Sequence, residues 1–279
     1  MRRLFAIAAA ALGLGAPPAL AAEPEPAMEV CEGCETLLEA ALAHPRRAED
    51  RARDIWRHPA ETLAFFRVKP GMTVIDYMPS GGWYTRVLVP YLGKDGRYIG
   101  LNPALPESAP EGLVRYFGGL KEKFPTEAAK WNLKGAPFEA FNTDQLGEER
   151  NGTVDRVLIF REIHNMHRND FLRAELASLR KMLKDDGLVG VVQHRARADA
   201  PAAYTDGNKG YMRQKDVVAL FEANGFELVD NSEINANAKD PANHPAGVWE
   251  LPPVMRTKRD ELTAIGESDR MTLLFRKRP

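Results

Sequence analysis

The chain has 279 residues, of which 44% are hydrophobic and 28% are charged. These proportions are typical of soluble globular proteins and exclude a disordered, collagen-like or coiled-coil chain. Its 38 Lys and Arg residues nearly balance its 39 Asp and Glu residues, so it lacks the basic excess of general nucleic-acid-binding proteins.

The start of the chain has the pattern of a secretory signal peptide. Arg2 and Arg3 precede an apolar run over 4–14, and small residues follow at 19–21. A membrane anchor is the alternative, but the apolar run is too short to span a bilayer as a helix. We therefore expect a signal peptide over residues 1–21, cleavage after Ala21, and a periplasmic or secreted protein that is not held at a membrane.

Cys31 and Cys34 are the two cysteines of the sequence and have CxxC spacing. In an exported protein a local structural disulfide is the favoured interpretation, and a redox pair is the alternative. The pair precedes every predicted strand instead of lying at a strand–helix junction, which argues against the redox interpretation.

Helices and strands alternate along the rest of the chain. Apolar spacing predicts helical segments over 29–66, 82–93, 110–131, 169–187 and 214–225. Apolar and β-branched runs predict strands over 72–78, 97–102, 137–141, 154–160, 188–194, 226–234 and 270–278. Such alternation predicts a mainly parallel α/β sheet over 67–279, preceded by a leader with helices over 22–66. Because no helix separates the last two strands, one of them is expected to run antiparallel at an edge.

The turn after the first predicted strand combines an acid with small residues. Asp76 closes the strand, and Ser80, Gly81 and Gly82 follow. Ligands of open parallel sheets bind beyond the carboxyl ends of the strands, where small residues let a ligand approach the backbone and a helix N-terminus. A glycine turn that serves backbone geometry alone is the alternative interpretation.

Three parts of the chain resemble the exported branch of predicted class I S-adenosylmethionine-dependent methyltransferases. They are RHPAETLAFFRVKPGM with VIDYMPSGGWYTRVLVPYLG, then FREIHNMHR, and finally VWELPP with DRMTLLFRKR. The resemblance covers residues 51–279. It implies a Rossmann-like fold with a seven-stranded, mostly parallel sheet, an antiparallel last strand and helices on both faces. It also implies S-adenosylmethionine as the cofactor and methyl transfer as the activity.

Transferred position by position, the resemblance places the cofactor on the turn and on the ends of the next two strands. The implied cofactor contacts are Asp76, Ser80, Gly81, Gly82, Asn102 and Asp144. Ser80 stands where such families have the first of three glycines, and Asn102 stands where they place an acid on the ribose hydroxyls. An Asn side chain is an uncharged and therefore weaker acceptor than a carboxylate.

Polar side chains follow the fourth, fifth and sixth predicted strands, whose ends face the ligand-binding edge. His164 is the first candidate for a catalytic base and His194 the second, because a neutral imidazole suits that role near pH 7. Arg161 and Arg195 are the candidates to hold a carboxylate or phosphate. The predicted substrate contacts are Tyr84, Asn165, Arg195 and Trp249. A loop side chain without a ligand is the alternative for each of them.

Two rival functions stay open at this stage. A binding protein that keeps the fold without transfer is favoured by Ser80, by Asn102 and by export, since adenosylmethionine is made in the cytoplasm. A metal-dependent enzyme is the other, although no tight ligand spacing supports a metal. Its candidate ligands are His164, His194, His244 and Asp240. The balanced charge favours a small-molecule substrate, and the long segment over 235–268 is a candidate lid.

Overall fold

Seven strands form one mixed sheet in the computed structural model, which describes residues 33–278; the predicted signal peptide and Cys31 lie outside these residues. The strands are β1 (Thr73–Tyr77), β2 (Arg97–Asn102), β3 (Phe138–Asn142), β4 (Val154–Phe160), β5 (Leu183–His194), β6 (Phe226–Ser232) and β7 (Arg270–Lys277). Their order is β3-β2-β1-β4-β5-β7-β6, with β1 to β5 parallel and β7 antiparallel to both its neighbours. The predicted α/β class and Rossmann-like methyltransferase fold are confirmed.

The antiparallel strand does not lie at the edge, where we expected it. β7 is inserted between β5 and β6, and β6 forms the edge. Met271, Leu273 and Phe275 of β7 are fully buried, whereas Asp230 and Asn231 of β6 are exposed. An apolar strand is stable where neighbours cover it on both sides, and a polar strand tolerates the exposed edge.

Helices cover both faces of this sheet. They are α1 (Cys34–Ala43), α2 (Asp54–Arg57), α3 (Pro59–Phe65), α4 (Thr85–Leu92), α5 (Glu111–Phe117), α6 (Leu120–Ala129), α7 (Ile163–Arg168), α8 (Leu172–Met182), α9 (Ala202–Thr205) and α10 (Gln214–Ala223). Alternate residues of β1 point to opposite cores, with Ile75 and Tyr77 in one and Val74 in the other. Within 33–278, no helix is long and apolar enough to cross a bilayer.

The helices before β1 share a core with the sheet. Leu38 of α1 and Leu63 of α3 are buried in one cluster with Leu88 of α4. The helical region predicted over 29–66 is interrupted, and Pro59 begins the last of its helices. Proline is favoured at a first helical position because its nitrogen has no hydrogen to leave unpaired.

The helix predicted over 110–131 is divided into α5 and α6. An added Cβ on Gly118 would lie 2.6 Å from the Val114 carbonyl oxygen, and Gly119 has a φ of 69°. Two consecutive positions that favour glycine end the first helix and turn the chain into the second.

The helix predicted over 169–187 ends at Met182, five residues before the glycine expected to close it. Gly187 lies within β5, and Leu183 already pairs with Val154 of β4 before a register irregularity. Pairing with β4 therefore overrides the helical preference of the residues after Met182.

Cys34 is disulfide-bonded at the start of α1. A disulfide at this cysteine was expected, Cys31 lies outside the described residues, and the structural role of the pair stays a prediction.

Candidate active site

The turn after β1 is tightly wound. Met78, Ser80 and Gly82 have positive φ angles of 58°, 49° and 70°. The Met78 amide donates a hydrogen bond to the Leu101 carbonyl oxygen in β2. Positive φ is strained for residues that carry a Cβ, so this backbone is held in shape by its neighbours at the carboxyl edge of the sheet.

A cavity of about 530 Å³, which we call the turn cavity, opens beside this turn. Three predicted cofactor residues lie in its wall, namely Ser80, Gly81 and Asn102. Its other lining residues are Met78, Tyr116, Phe117, Gly118, Leu120, Lys123, Phe124, Glu127 and Trp131. A concave site of this size with several aromatic walls is typical of a small-molecule or cofactor site.

Asn102 holds part of this wall in place. Asn102 Nδ2 donates to the carbonyl oxygen of Phe117 at 2.8 Å, and Asn142 Nδ2 donates to the same oxygen at 3.0 Å. A carboxylate at position 102 would have no hydrogen to donate to that carbonyl. The asparagine therefore binds the end of α5 to β2, and its contact with a ribose stays a prediction.

Three other predicted cofactor residues do not line the turn cavity. Gly82 lies beneath Trp131, whose ring would be 2.1 Å from an added Cβ. Asp76 is buried and accepts a hydrogen bond from the Tyr98 hydroxyl at 2.9 Å. Asp144 lines a neighbouring cavity of about 350 Å³. The first two support the site from behind, and the cofactor contacts of all three stay predictions.

A second cavity, of about 540 Å³, adjoins the first, and Tyr116 and Phe117 line both. We call it the arginine cavity. The structure brings five of the predicted catalytic and substrate residues together in its wall, and they are Arg161, His164, Asn165, His194 and Trp249. Its remaining lining residues are Gly112, Leu113, Glu162, Arg168, Asn208 and Arg256.

His164 and His194 lie side by side in this wall, with ring centroids 5.7 Å apart. Burial lowers the pKa of His164 to about 3, and the charge of Arg168 acts in the same direction. Burial likewise lowers the pKa of His194, whose Nδ1 lies 2.6 Å from the Ser268 hydroxyl oxygen. Both imidazoles are neutral near pH 7, so they can exchange hydrogen bonds with a ligand but are weak bases.

Glu162 is the residue that the sequence-based site missed. Burial raises the pKa of Glu162 to about 7, although a hydrogen bond from Asn165 and the charge of Arg161 both act to lower it. Asn165 Nδ2 donates to Glu162 Oε2 at 2.6 Å. A buried carboxyl group in a cavity wall with a pKa near 7 is suited to proton transfer. The available signal was its position just after a buried strand, next to Arg161.

Arg161 is fixed by an unusual backbone conformation. It has a φ of 63°, and its amide donates to the Val192 carbonyl oxygen at 2.6 Å. In the part of the chain that the structure describes, no hydrogen bond or ion pair engages its guanidinium. The side chain is thus half-buried in the cavity wall with its donors free for a ligand.

Two predicted substrate residues lie away from the arginine cavity. Tyr84 is buried and stacks on Phe160, with ring centroids 3.5 Å apart. Arg195 forms ion pairs with Asp269 and Glu233, and lines a separate cavity of about 360 Å³. Tyr84 lies away from the cavity because its ring is buried against Phe160, and Arg195 lies away from it because its guanidinium is held by ion pairs. Their contacts with a substrate stay predictions.

The segment over 235–268 brings Trp249 and Arg256 to the arginine cavity. Asn235 Nδ2 donates to the hydroxyls of Thr62 and Thr272, both at 3.0 Å, which anchors the start of this segment in the core. The segment therefore forms a wall of the cavity, and its movement as a lid stays a prediction.

The residues of the metal alternative are engaged with other groups. His244 Nε2 and Asp240 Oδ1 lie 3.0 Å apart, and His194 contacts the Ser268 hydroxyl. Over residues 33–278, no three His, Cys, Asp or Glu side chains are arranged to hold a metal ion.

The chain matches no family model and no curated protein. Among solved structures, the cyclase SpnF is 13% identical and aligns over 88% of this chain and 93% of its own, with a TM-score of 0.52. A SAM-dependent methyltransferase from Aquifex aeolicus is 19% identical over 72% of this chain and 93% of its own, with a TM-score of 0.47.

A third solved structure is 1,6-didemethyltoxoflavin-N1-methyltransferase from Burkholderia thailandensis, with bound S-adenosylhomocysteine. It is 14% identical and aligns over 88% of this chain and 87% of its own, with a TM-score of 0.48. At such low identities the likeness concerns the fold alone, and the function has to be argued from the two cavities.

Proposed function

We propose that this protein is an S-adenosylmethionine-dependent methyltransferase that acts on a small molecule. The observation that carries the proposal is the junction of two cavities at Tyr116 and Phe117, one beside the glycine-containing turn and one around a buried carboxyl group. Methyl transfer needs a cofactor and an acceptor held in line in adjacent sites, and much of its acceleration comes from that positioning.

The residues of the turn cavity fit S-adenosylmethionine. Apart from its chain neighbours, none of the described residues has a heavy atom within 4 Å of an added Cβ on Gly81, so its backbone is open to a close ligand. Phe124 and Trp131 offer apolar faces to a purine ring, and Asn102 offers a side-chain oxygen to a ribose. When bound, the cofactor supplies an electrophilic methyl group on a sulfonium sulfur.

In this proposal Glu162 takes the proton from the acceptor nucleophile. Its carboxyl group is held by Asn165, while the neutral side chains of His164 and His194 orient the acceptor through hydrogen bonds. His164 was our first candidate for the base from the sequence. The low pKa of His164 makes it a poor proton acceptor, whereas a base with a pKa near 7 is partly ionised at neutral pH and still basic enough to take a proton.

Calorimetry with S-adenosylmethionine and S-adenosylhomocysteine tests the cofactor. We expect both to bind the wild type and the Gly81→Leu variant to bind neither, because the new side chain would project into the turn cavity. Ala129→Leu is the matched control, since Ala129 is exposed at the end of α6. No binding to the wild type at millimolar ligand, or unchanged binding to Gly81→Leu, would contradict the proposal.

A binding protein that keeps this fold without transfer is the second candidate function. The bond from Asn102 to Phe117 favours it, because the group expected at the ribose position serves the protein itself. Incubation with methyl-labelled S-adenosylmethionine and a small-metabolite extract distinguishes the two functions. Label that appears in an acceptor supports the enzyme, and cofactor binding without any label transfer supports the binding protein.

We also propose that residues 1–21 direct export, which rests on their sequence pattern alone. Cleavage after Ala21 would leave the leader with helices over 22–66 and the methyltransferase domain over 67–279 in the periplasm or outside the cell. N-terminal sequencing of the exported protein should begin at Ala22. A mature protein that retains Met1 would contradict the proposal.

A further inference from the structure

Three arginines give the arginine cavity its charge. Arg161 is half-buried in the wall, and Arg168 and Arg256 are exposed at the rim. The guanidinium carbons of Arg168 and Arg256 lie 5.8 Å and 4.8 Å from the ring centroid of Trp249. Over residues 33–278, no side-chain hydrogen bond or ion pair joins any of these three guanidinium groups to a carboxylate.

More positive charge lies behind this wall. Arg57 and Arg270 are buried and share the carboxylate of Glu267, which also pairs with Arg53. Burial lowers the pKa of Arg57 and of Arg270, and the charge of Arg161 lowers both further, while Glu267 acts in the opposite direction. Arg161 is therefore close enough to both buried arginines to interact with them. Glu267 thus faces four arginines. Two further carboxyl groups interact with Arg161, namely Asp76 and Glu162, but burial raises the pKa of each to about 7, so the cluster keeps a net positive charge.

The cavity holds little negative charge to balance this excess. Glu162 is the one carboxyl group among its lining residues, and burial favours the neutral form of that group. The two lining histidines are neutral near pH 7. Three guanidinium groups without an ion-pair partner among the described residues outweigh this single carboxyl group, and such a cavity is complementary to an anion.

We infer that the ligand of the arginine cavity is a small molecule with an oxyanion, a carboxylate or phosphate, which Arg161 binds in the wall while Arg168 and Arg256 attract it at the rim. A guanidinium presents paired donors that match the oxygens of either group. That this molecule is the methyl acceptor rests on the proposed function, whereas its binding does not require the cofactor.

The side chain of Asn165 indicates where a second polar group of the ligand would bind. Asn165 is buried in the same wall, and its Oδ1 atom has no hydrogen-bond partner among the described residues. A buried acceptor without a partner is costly, and an O–H or N–H group of a ligand would satisfy it. Such a group would lie next to Glu162, because Asn165 is hydrogen-bonded to that carboxyl group, so one ligand would place its oxyanion at Arg161 and its O–H or N–H group at Asn165.

Calorimetry with benzoate, phenyl phosphate and benzyl alcohol, without cofactor, tests the inference. We expect benzoate or phenyl phosphate to bind at least about tenfold more tightly than the neutral alcohol, because charge-assisted bonds are the stronger ones. Tighter binding of benzoate would identify a carboxylate as the preferred group, and tighter binding of phenyl phosphate would identify a phosphate.

Three variants locate the binding. Arg161→Gln and Arg256→Gln should each weaken binding of the preferred probe roughly tenfold, and Arg256 is exposed, so its variant is not expected to disturb folding. Arg173→Gln is the control, because Arg173 is exposed on α8 away from the cavity and the variant removes the same charge.

Equal affinity for the alcohol and the anions, no binding of either anion at millimolar concentration, or unchanged affinity in both cavity variants would overturn the inference. The adenosylmethionine titration is read separately. Anion binding without cofactor binding would therefore contradict the proposed methyltransferase and leave the oxyanion site standing.

Discussion

The walls of the turn cavity and the arginine cavity differ in chemical character. The turn cavity is shaped by strained backbone over 78–82 and by aromatic side chains such as Phe124 and Trp131. The arginine cavity is shaped by charged and polar side chains, with Glu162 as its buried carboxyl group. The first therefore depends on local conformation and packing, and the second depends on how distant charges are brought together.

The same difference appears in how each cavity is supported. Close packing supports the turn cavity, for example the contact of the Trp131 ring with Gly82. Behind the arginine cavity stands the buried cluster of Glu267 with Arg53, Arg57 and Arg270. Variants that remove one kind of support at a time should affect the two cavities unequally.

The largest loss of stability is expected for Glu267→Gln. Removing the one carboxylate of the cluster would leave buried arginines uncompensated, which costs about 3 kcal/mol or more. Urea unfolding should show this loss at pH 7, with Glu61→Gln as an exposed control.

The pH dependence of this loss has a defined sign. Burial acts to raise the pKa of Glu267, but the charges of Arg270 and Arg57 outweigh it and hold the pKa at about 2, below the ordinary 4.5. The stabilisation by Glu267 is present above pH 4.5 and is lost as the pH falls towards 2. The difference between wild type and Glu267→Gln should therefore shrink on acidification, and a constant difference would contradict the ion-cluster role.

Glu162→Gln should reduce the rate of methyl transfer by about a hundredfold or more, the usual contribution of a general base. The wild-type rate should rise with pH through about 7 as the carboxyl group ionises, and the variant should lose this dependence. Initial rates against pH measure both effects, while calorimetry should find cofactor binding unchanged. Glu122→Gln, exposed on α6, is the control.

The base assignment has a direct competitor in His164. If His164→Ala abolished transfer while Glu162→Gln retained it, the histidine would be the base despite its low pKa, and the order predicted from the sequence would stand.

Gly82→Ala should destabilise the protein by about 2 kcal/mol, since it combines a strained positive φ with a clash against Trp131. Gly81→Ala is the matched comparison, because that position has negative φ and open space around an added Cβ. Chemical unfolding of both variants measures the difference. Equal stability of the two would show that the Trp131 contact is not needed for the turn.

Asp76→Asn should stabilise the protein, by roughly 3 kcal/mol more at pH 8 than at pH 5, because each unit by which burial raises a carboxyl pKa costs about 1.4 kcal/mol once the group ionises. Burial raises the pKa of Asp76 to about 7. The neutral carboxyl group therefore contributes fully to the stability of the fold below pH 3.8, and this contribution is lost as the pH rises through 7. An asparagine oxygen can still accept the Tyr98 hydroxyl without ionising. Urea unfolding at pH 5 and pH 8 tests this, with the exposed Asp95→Asn as control.

The cofactor affinity of the same Asp76→Asn variant answers a second question. Unchanged affinity would indicate that Asp76 supports β1 and β2 only, and a large loss would indicate the cofactor contact predicted from the sequence.

Much of the fold was predictable because it depends on local patterns. Buried runs such as Val154–Phe160 have few polar residues, and they form strands wherever helices cover both sides. The errors arose where tertiary contacts overrode a local preference. Pairing with β4 turned the residues after Met182 into strand, and the apolar side chains of β7 placed it inside the sheet rather than at its edge.

The site was predictable in part for the same reason. Residues that follow strand ends gather at one edge, which brought Arg161, His164 and His194 together. The protonation state of these groups was not predictable, because burial sets it and burial is a property of the folded chain. This is why the sequence favoured His164 as the base and did not indicate Glu162, which we propose in its place.

By itself, the sequence determined the α/β class, the strand count and the glycine-containing turn, because all of these follow from periodicity and turn chemistry along the chain. Only the tertiary structure decided that Asn102 binds the end of α5 and that Arg195 forms ion pairs away from the arginine cavity. It also decided that Arg161, Arg168 and Arg256 face one cavity without carboxylate partners among residues 33–278. Those outcomes depend on which side chains, distant in sequence, come into contact and are buried together. The charge balance of a buried site is the sum of the charges of all these side chains, so it is known only once the chain has folded.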